Sequence, residues 1–347
     1  MKGSRLGLAP TTREQLASSP LGLGGAPLGN LFHAVAQAEA LALVRHAVAC
    51  GTRYFDTAPH YGHGRSELRF GSVLSEVPRE RFVLSTKVGR LLAPAPDAPR
   101  DQHGYVDTLP FVQRYDYTAA GVRRSLDESR RRLGFTAIDI AYVHDIDVAT
   151  HGDAHPARWR DALEGGLPEL ARQKAEGRLA GYGLGVNGVG ICIETLRHAD
   201  LDVILLAGRY TLADQSALPE LLPLCARRRV AVVIGGPFNS GILATGSVPR
   251  DGSAPYFNSA TAPPAVVARV AAIEVACAEF AVPLQAAALQ FPAAHPAVIC
   301  VLPGARSIAE FDQNQAWARH PIPATFWRAL RERGLVDPAA PLPGETA

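Results

Sequence analysis

GTRYFDTAPHYGHGRSE, residues 51–67, holds one complete unit of the fold. TRYFDTA at 52–58 is short, with two aromatics at its centre and a threonine towards each end, as suits a strand. It ends beside a carboxylate, Asp56, and breaks into a polar turn carrying Tyr61 and two glycines. The chain then predicts a helix from about 64 to 75. A strand, a polar turn and a helix together make one βα unit.

The same pattern repeats on both sides of it. LGLGG at 21–25 precedes a helix at about 38–50. FVLSTKV at 82–88 precedes a long insert and a helix at about 118–133. IDIAYVH at 138–144, RLAGYGLG at 178–185 and DVILLAG at 202–208 precede helices at about 157–176, 190–198 and 215–229. VAVVIGGP at 230–237 and AVICVLPG at 297–304 precede helices at about 263–280 and 307–316. Runs such as VILLA are apolar throughout, as strands covered on both faces must be. Eight βα units predict a closed α/β barrel, a (β/α)8 TIM barrel forming one domain over residues 1–347. A doubly wound sheet is the alternative. It lacks support, because no GxGxxG turn follows the first strand. Two stretches, about 89–117 and 238–262, exceed a simple βα connection. In a barrel both emerge at the C-terminal face as walls or lids. The end of the chain, from about 335 to 347, is Pro- and Ala-rich and reads as a flexible tail.

The composition is that of a globular domain with a large core: 47% hydrophobic and 20% charged residues. A formal net charge of +2 offers no bulk attraction to nucleic acid or to an anionic membrane, so neither is expected as a partner. The cluster RRSLDESRRRL interleaves its charges at helical spacing and reads as a solvated helix face. The five cysteines, Cys50, Cys192, Cys225, Cys277 and Cys300, form no CxxC pair. Neither a metal site nor a disulfide framework is expected, and a reducing, cytoplasmic setting fits. No leader-like N-terminus and no apolar run of membrane-spanning length is present.

Four strand-end side chains carry chemistry: Asp56, Tyr61, Lys87 and His144. In a barrel they converge at one mouth. A phenol is a poor base near neutrality, with a reference pKa of about 10. A Lys87 ammonium beside Tyr61 is expected to favour the phenolate. Asp56 pairs with Lys87, and His144 donates to a substrate oxygen, which leaves Tyr61 as general acid or base. Each residue also has a plain structural reading, as a cap, a half-buried aromatic, a surface lysine and a core histidine.

GxxxFDTAxxYGxxxSE, then a strand-end lysine, then a strand-end histidine, resembles the aldo-keto reductase superfamily. The resemblance implies a monomeric or weakly associated barrel that binds NAD or NADP, with Asp56, Tyr61, Lys87 and His144 as its catalytic tetrad. It also implies a cofactor site. Asn187 would hold the nicotinamide carboxamide and Tyr210 would stack on the ring. Pro237, Phe238, Asn239, Ser240, Gly241 and Leu243 would wrap the pyrophosphate. Gly304, Arg306, Ser307, Glu310, Gln313 and Asn314 would face the far phosphate and adenine. The acidic Glu310 argues against a 2′-phosphate and Arg306 for one, so use of both cofactors is expected.

LPFVQRYDYTAAGVRRSLDESRRRLG and VVIGGPFNSGILATG look most like the branch of D-threo-aldose 1-dehydrogenases, or L-fucose dehydrogenases. Pyridoxal 4-dehydrogenase and plant L-galactose dehydrogenase are its relatives. The implied reaction oxidises the anomeric carbon of a free sugar such as L-fucose or D-arabinose to the lactone. Pyridoxal dehydrogenation, general carbonyl reduction and a non-enzymatic nucleotide sensor are the alternatives. Asn30, Phe32, His60, Tyr105, Phe111 and Asp145 are the expected substrate contacts.

Overall fold

The computed structural model describes residues 7–19 and 21–345. Eight parallel strands form one sheet: β1 (Leu23–Gly24), β2 (Tyr54–Asp56), β3 (Val83–Val88), β6 (Ile140–His144), β7 (Gly181–Val186), β8 (Val203–Ala207), β9 (Ala231–Gly235) and β12 (Val298–Leu302). Gly22 N donates to Val301 O at 3.0 Å and Gly24 N to Pro303 O at 2.9 Å, which joins the last strand to the first and closes the barrel. The helices follow as the alternation predicts: α2 (Gln37–Ala49), α3 (Arg65–Leu74), α4 (Ala119–Leu133), α7 (Leu167–Ala175), α8 (Val189–His198), α9 (Leu221–Arg228), α11 (Pro264–Glu279) and α13 (Ile308–Ala318). Short helices α5 (Val148–His151), α6 (His155–Asp161), α10 (Ile242–Thr245) and α12 (Leu284–Gln290) fill the connections.

Side chains alternate across the barrel wall with the strand period of two. Phe55, Leu84, Val143, Ile204 and Val232 face the helices. Tyr54, Val83, Ile140, Tyr142, Leu205 and Val233 fill the lumen. One step further up, the same inward register carries Asp56, Ser85, Lys87 and His144. The site is thus the top layer of the lumen, built by the alternation that packs its floor. Leu8 and Leu16 join the lumen cluster and plug its base. Leu16 belongs to α1 (Pro10–Ala17), a helix the apolar pattern does not announce.

Both long inserts form hairpins. β4 (Arg90–Pro94) pairs antiparallel with β5 (Phe111–Tyr115), and β10 (Tyr256–Phe257) with β11 (Ala260–Thr261). The charged cluster of α4 is a solvated face, with Arg124–Glu128 and Arg130–Asp127 pairs at 2.8 and 3.0 Å. The four cysteines in apolar contexts are buried and Cys50 is exposed, all as free thiols.

The flexible tail expected from about 335 is corrected. After α14 (Ala324–Glu332), Val336, Ala340 and Leu342 are buried, and Arg331 holds Glu345 at 2.9 Å. Apolar anchors separated by prolines explain it: the prolines restrict the free chain, so docking it costs less entropy. Residues 346 and 347 lie outside the described residues. No described helix is long and apolar enough to cross a membrane.

Candidate active site

Lys87 and Asp56 form an ion pair at 2.6 Å with both side chains 2% exposed. Lys87 Nζ also donates to Thr57 O at 2.9 Å. Ser85 donates to the other Asp56 oxygen at 2.6 Å. Tyr54 contacts Ser85 at 2.9 Å and Tyr142 at 3.0 Å, so the pair stands on a polar lumen layer. Bare backbone at Gly185 makes room for the lysine stem. A Cβ there would sit 3.3 Å from Lys87 Cε and 3.1 Å from Tyr142 Cβ.

Tyr61 lies above this pair. Lys87 Nζ is 4.6 Å from the centre of the phenol ring, over its face. The edge of His144 meets the same ring, centroids 6.0 Å apart. The four residues are together, but the expected electrostatics need correction. Burial pushes the Tyr61 phenol well above its ordinary pKa, and Asp56 and Asp145 add to the push. The cation opposing them is Arg90. The lysine was assigned this role from sequence, but it meets the ring face.

His144 is held neutral. Burial drives its pKa well below the ordinary value, helped by Arg90, Lys87 and His60. Its Nδ1 is buried without a hydrogen-bond partner. An N–H there would be an unsatisfied donor, so the proton belongs on Nε2. Nε2 lies 3.3 Å from Asp145 Oδ2.

Arg90 is the main residue that sequence reading missed. It opens β4 immediately after Gly89, whose φ of +98° turns the chain back over the mouth. A Cβ on Gly89 would meet the Tyr117 ring at 2.1 Å, so the turn requires glycine. Arg90 is buried, donates to Asp145 at 2.5 Å and to Gln113 at 3.0 Å, and lies over the Tyr115 ring. Gln113 continues the network to His60, and to His63 at 3.1 Å. Arg90 lies three residues past the strand-end Lys87, in an insert whose pairing the sequence does not declare.

Six imidazoles, those of His60, His63, His103, His144, His151 and His295, share a pKa lowered first by burial. Below pH about 6.5 the unfolded chain takes up protons that the folded chain refuses. Their contribution is therefore present above pH 6.5 and is lost as pH falls toward the depressed folded values. Each well-buried imidazole costs up to about 1.4 kcal/mol per pH unit in that window. Melting temperature should drop steadily between pH 7 and pH 5; a flat profile would contradict this.

Among the expected substrate contacts, His60 and Tyr105 line the mouth. Their rings are 5.0 Å apart, and Tyr105 stacks on Tyr61 at 6.0 Å. His103 joins them from the insert, 5.9 Å from His60. Phe32 is exposed on the rim. Asp145 sits beside His144. Phe111 contributes its carbonyl, which accepts from His63 at 2.7 Å. Asn30 is corrected to a structural role. It is 1% exposed, and its amide oxygen accepts from Val35 N and from Arg69.

The expected cofactor residues divide in the same way. Asn187 is exposed just past β7. After β9, Gly236, Asn239, Ser240 and Gly241 all have positive φ, and the loop closes on itself: Asn239 N donates to Gly236 O at 2.9 Å and Gly241 N to Phe238 O at 3.0 Å. Pro237 is buried in it, Phe238 packs edge-on to Trp317, and Ser240 is exposed. Gly304, Arg306 and Ser307 lead into α13, where Ser307 caps the helix, and Gln313 is exposed midway along it. Arg306 and Glu310 bind each other at 2.7 Å. Asn187, Ser240 and Arg306 are exposed around the N-terminus of α13, a surface whose free N–H groups would suit a dinucleotide phosphate.

Four expected contacts are corrected. Tyr210 is 0% exposed, its ring held against Phe291 and His295. It has no free face for a nicotinamide. The preceding Gly208, at φ +67°, turns the chain so that the ring enters the core. Asn239 is buried with both amide ends used, by Thr211 and by Gly208 O. Leu243 is fully buried beneath the loop. Asn314 is 5% exposed and donates to Gly304 O at 3.3 Å, bracing that turn.

Comparison with known proteins gives the family and the fold. The model of the Aldo/keto reductase family matches residues 20–333. Pyridoxal 4-dehydrogenase of Microbacterium luteolum is 46% identical over 335 residues, covering 94% of this chain and 96% of that protein. D-threo-aldose 1-dehydrogenase of a Pseudomonas species is 40% identical, covering 92% and 95%. The holo form of an aldo-keto reductase from Bacillus halodurans shares the fold, with a TM-score of 0.70 at 23% identity over 94% of each chain. On the family match, the identity to full-length relatives and the barrel that carries the tetrad, the chain belongs to the aldo/keto reductase family.

Proposed function

We propose that this oxidoreductase dehydrogenates a cyclic hemiacetal to its lactone, using NAD or NADP. The observation that carries the reading is the half-buried Tyr61 phenol above a sealed Lys87–Asp56 pair, with the neutral His144 at its edge. The two relatives have names that point to different substrates of one chemistry. An aldose in its pyranose form is a cyclic hemiacetal. Pyridoxal closes one between its aldehyde and the neighbouring hydroxymethyl group. The aromatic wall of Tyr61, Tyr105 and His60 favours a flat ring, so pyridoxal is placed first. L-Fucose and D-arabinose come second.

Asn187, the 236–241 loop and the start of α13 would hold the dinucleotide, whose nicotinamide would supply the hydride acceptor. The His144 Nε2–H donates to the hemiacetal hydroxyl oxygen and fixes it. Tyr61, in its phenolate form, takes the hydroxyl proton as the C–H hydride leaves and the C=O bond forms. Because burial raises the Tyr61 pKa, oxidation should accelerate with pH on the alkaline side. The engaged Arg306–Glu310 pair offers neither a free guanidinium nor a free carboxylate, which supports use of both cofactors.

The test is a turnover screen of pyridoxal, L-fucose, D-arabinose and L-galactose with NAD and with NADP. Lactone should form from at least one hemiacetal, pyridoxal foremost. Reduction of simple aldehydes with no lactone formed from any of the four would sink the reading.

A further inference from the structure

A buried ion pair is costly beside an apolar substitute, and removing one partner is costlier still. The Arg90–Asp145 pair at 2.5 Å is such a pair, with side chains 7% and 14% exposed. It lies above the sealed lumen, where barrel closure has no need of it. Asp145 also adopts φ +43°, a conformation uncommon for a side-chain-bearing residue and concentrated at functional sites. That turn brings two consecutive residues, His144 and Asp145, to one spot, with Nε2 and Oδ2 3.3 Å apart. Arg90 Nε is buried with no partner. One guanidinium N–H is thus left unsatisfied in the pair that contacts His144.

We propose that Arg90 and Asp145 form a hydroxyl-reading subsite that selects hemiacetals bearing a second hydroxyl near the reacting carbon. This rests on the hemiacetal reading above. His144 takes the reacting oxygen; Asp145 accepts the neighbouring O–H and Arg90 donates to its oxygen. Two adjacent residues at one strand end thus read two adjacent oxygens. The second oxygen is the C2 alcohol of an aldose or the C3 phenol of pyridoxal. The pair sets specificity and takes no proton from the reacting carbon's hydroxyl.

The experiment compares matched substrates on matched enzymes. D-Arabinose is paired with 2-deoxy-D-ribose, which lacks only the C2 hydroxyl, and pyridoxal with 3-deoxypyridoxal. Wild type should prefer the hydroxylated member by at least about 100-fold in kcat/KM, since a site built to bind a hydroxyl rejects the analogue without it. The neutral pair Arg90→Gln/Asp145→Asn avoids a lone buried charge and should shrink the preference below about fivefold, mainly by losing the hydroxylated substrate. Quenching of protein fluorescence by NADPH, which reports cofactor binding, should be unchanged and shows that the variant is folded. Collapse in the pyridoxal arm identifies a phenol; collapse in the arabinose arm identifies an alcohol. A folded double variant that keeps the wild-type preference in both arms overturns the subsite and leaves the hemiacetal reading standing. A wild type that turns over no hemiacetal overturns that reading first, and the subsite with it.

Discussion

Tyr61→Phe should lower turnover by about 10²- to 10⁴-fold while the protein folds and binds its dinucleotide as before. The variant removes one oxygen and keeps the ring. The ring does the packing: it stacks on Tyr105 at 6.0 Å, meets His144 edge-on and receives the Lys87 ammonium over its face at 4.6 Å. Phenylalanine supplies the same face, so the cation–π contact and the burial survive. No hydrogen bond between described residues uses the Tyr61 hydroxyl, so its loss orphans no protein partner. Lost instead is the hydroxyl proposed to exchange a proton with the substrate oxygen. His144 cannot substitute, because it is held neutral with its proton on the nitrogen facing the mouth. The loss equals about 2.7 to 5.4 kcal/mol of transition-state stabilisation. Steady-state kinetics with a fluorescence titration of cofactor would check it. Turnover within threefold of wild type would remove Tyr61 from the mechanism, whatever the binding data showed.

The contrast between Tyr61 and Tyr210 shows what the amino-acid sequence makes legible. Both are tyrosines just beyond a strand end. Tyr61 stands in a turn whose partners, Asp56 and Lys87, share an inward register that the period of two fixes. The meeting of Asp56, Lys87 and His144 could be read because alternation decides which strand-end side chains enter the lumen. Tyr210 stands two residues after a glycine with φ +67°, and its ring is in the core rather than at the mouth. Sequence does not carry that angle. Asn30 and Asn239 fail for a different reason. An amide near a site looks available in sequence, and only the fold reveals that Arg69, or Thr211 and Gly208, already use it. Arg90 was hidden because its place depends on pairing β4 with β5, where Arg90 faces Tyr115 across an insert of no apolar period. The barrel itself needed no such long-range information, since each βα unit declares itself locally.

Lys87→Met alone should destabilise the protein by about 3–5 kcal/mol, and adding Asp56→Asn should restore most of that loss without restoring activity. The argument starts from burial: both side chains are 2% exposed and 2.6 Å apart, beneath the aromatic mouth. Removing the ammonium leaves a carboxylate that burial already pushes toward protonation, with Lys87 as the main group opposing it. Ser85 still donates to it at 2.6 Å, but one neutral hydrogen bond does not compensate a buried charge. An amide at position 56 carries no charge and keeps an oxygen for Ser85. The double variant therefore replaces an ion pair by neutral groups of similar size, an exchange that is often neutral or stabilising. Stability and catalysis should separate here. The ammonium supports the Tyr61 ring from below and donates to Thr57 O at the base of the loop that carries it. With lysine gone, the phenol loses its placement in the single and double variants alike. Urea melts and turnover on the same preparations would decide. A double variant as unstable as the single would show that the amide cannot replace the carboxylate in that layer. A double variant that recovers both stability and turnover would reduce Lys87 to a charge balance for Asp56 and leave the phenol to be placed by the aromatic wall alone.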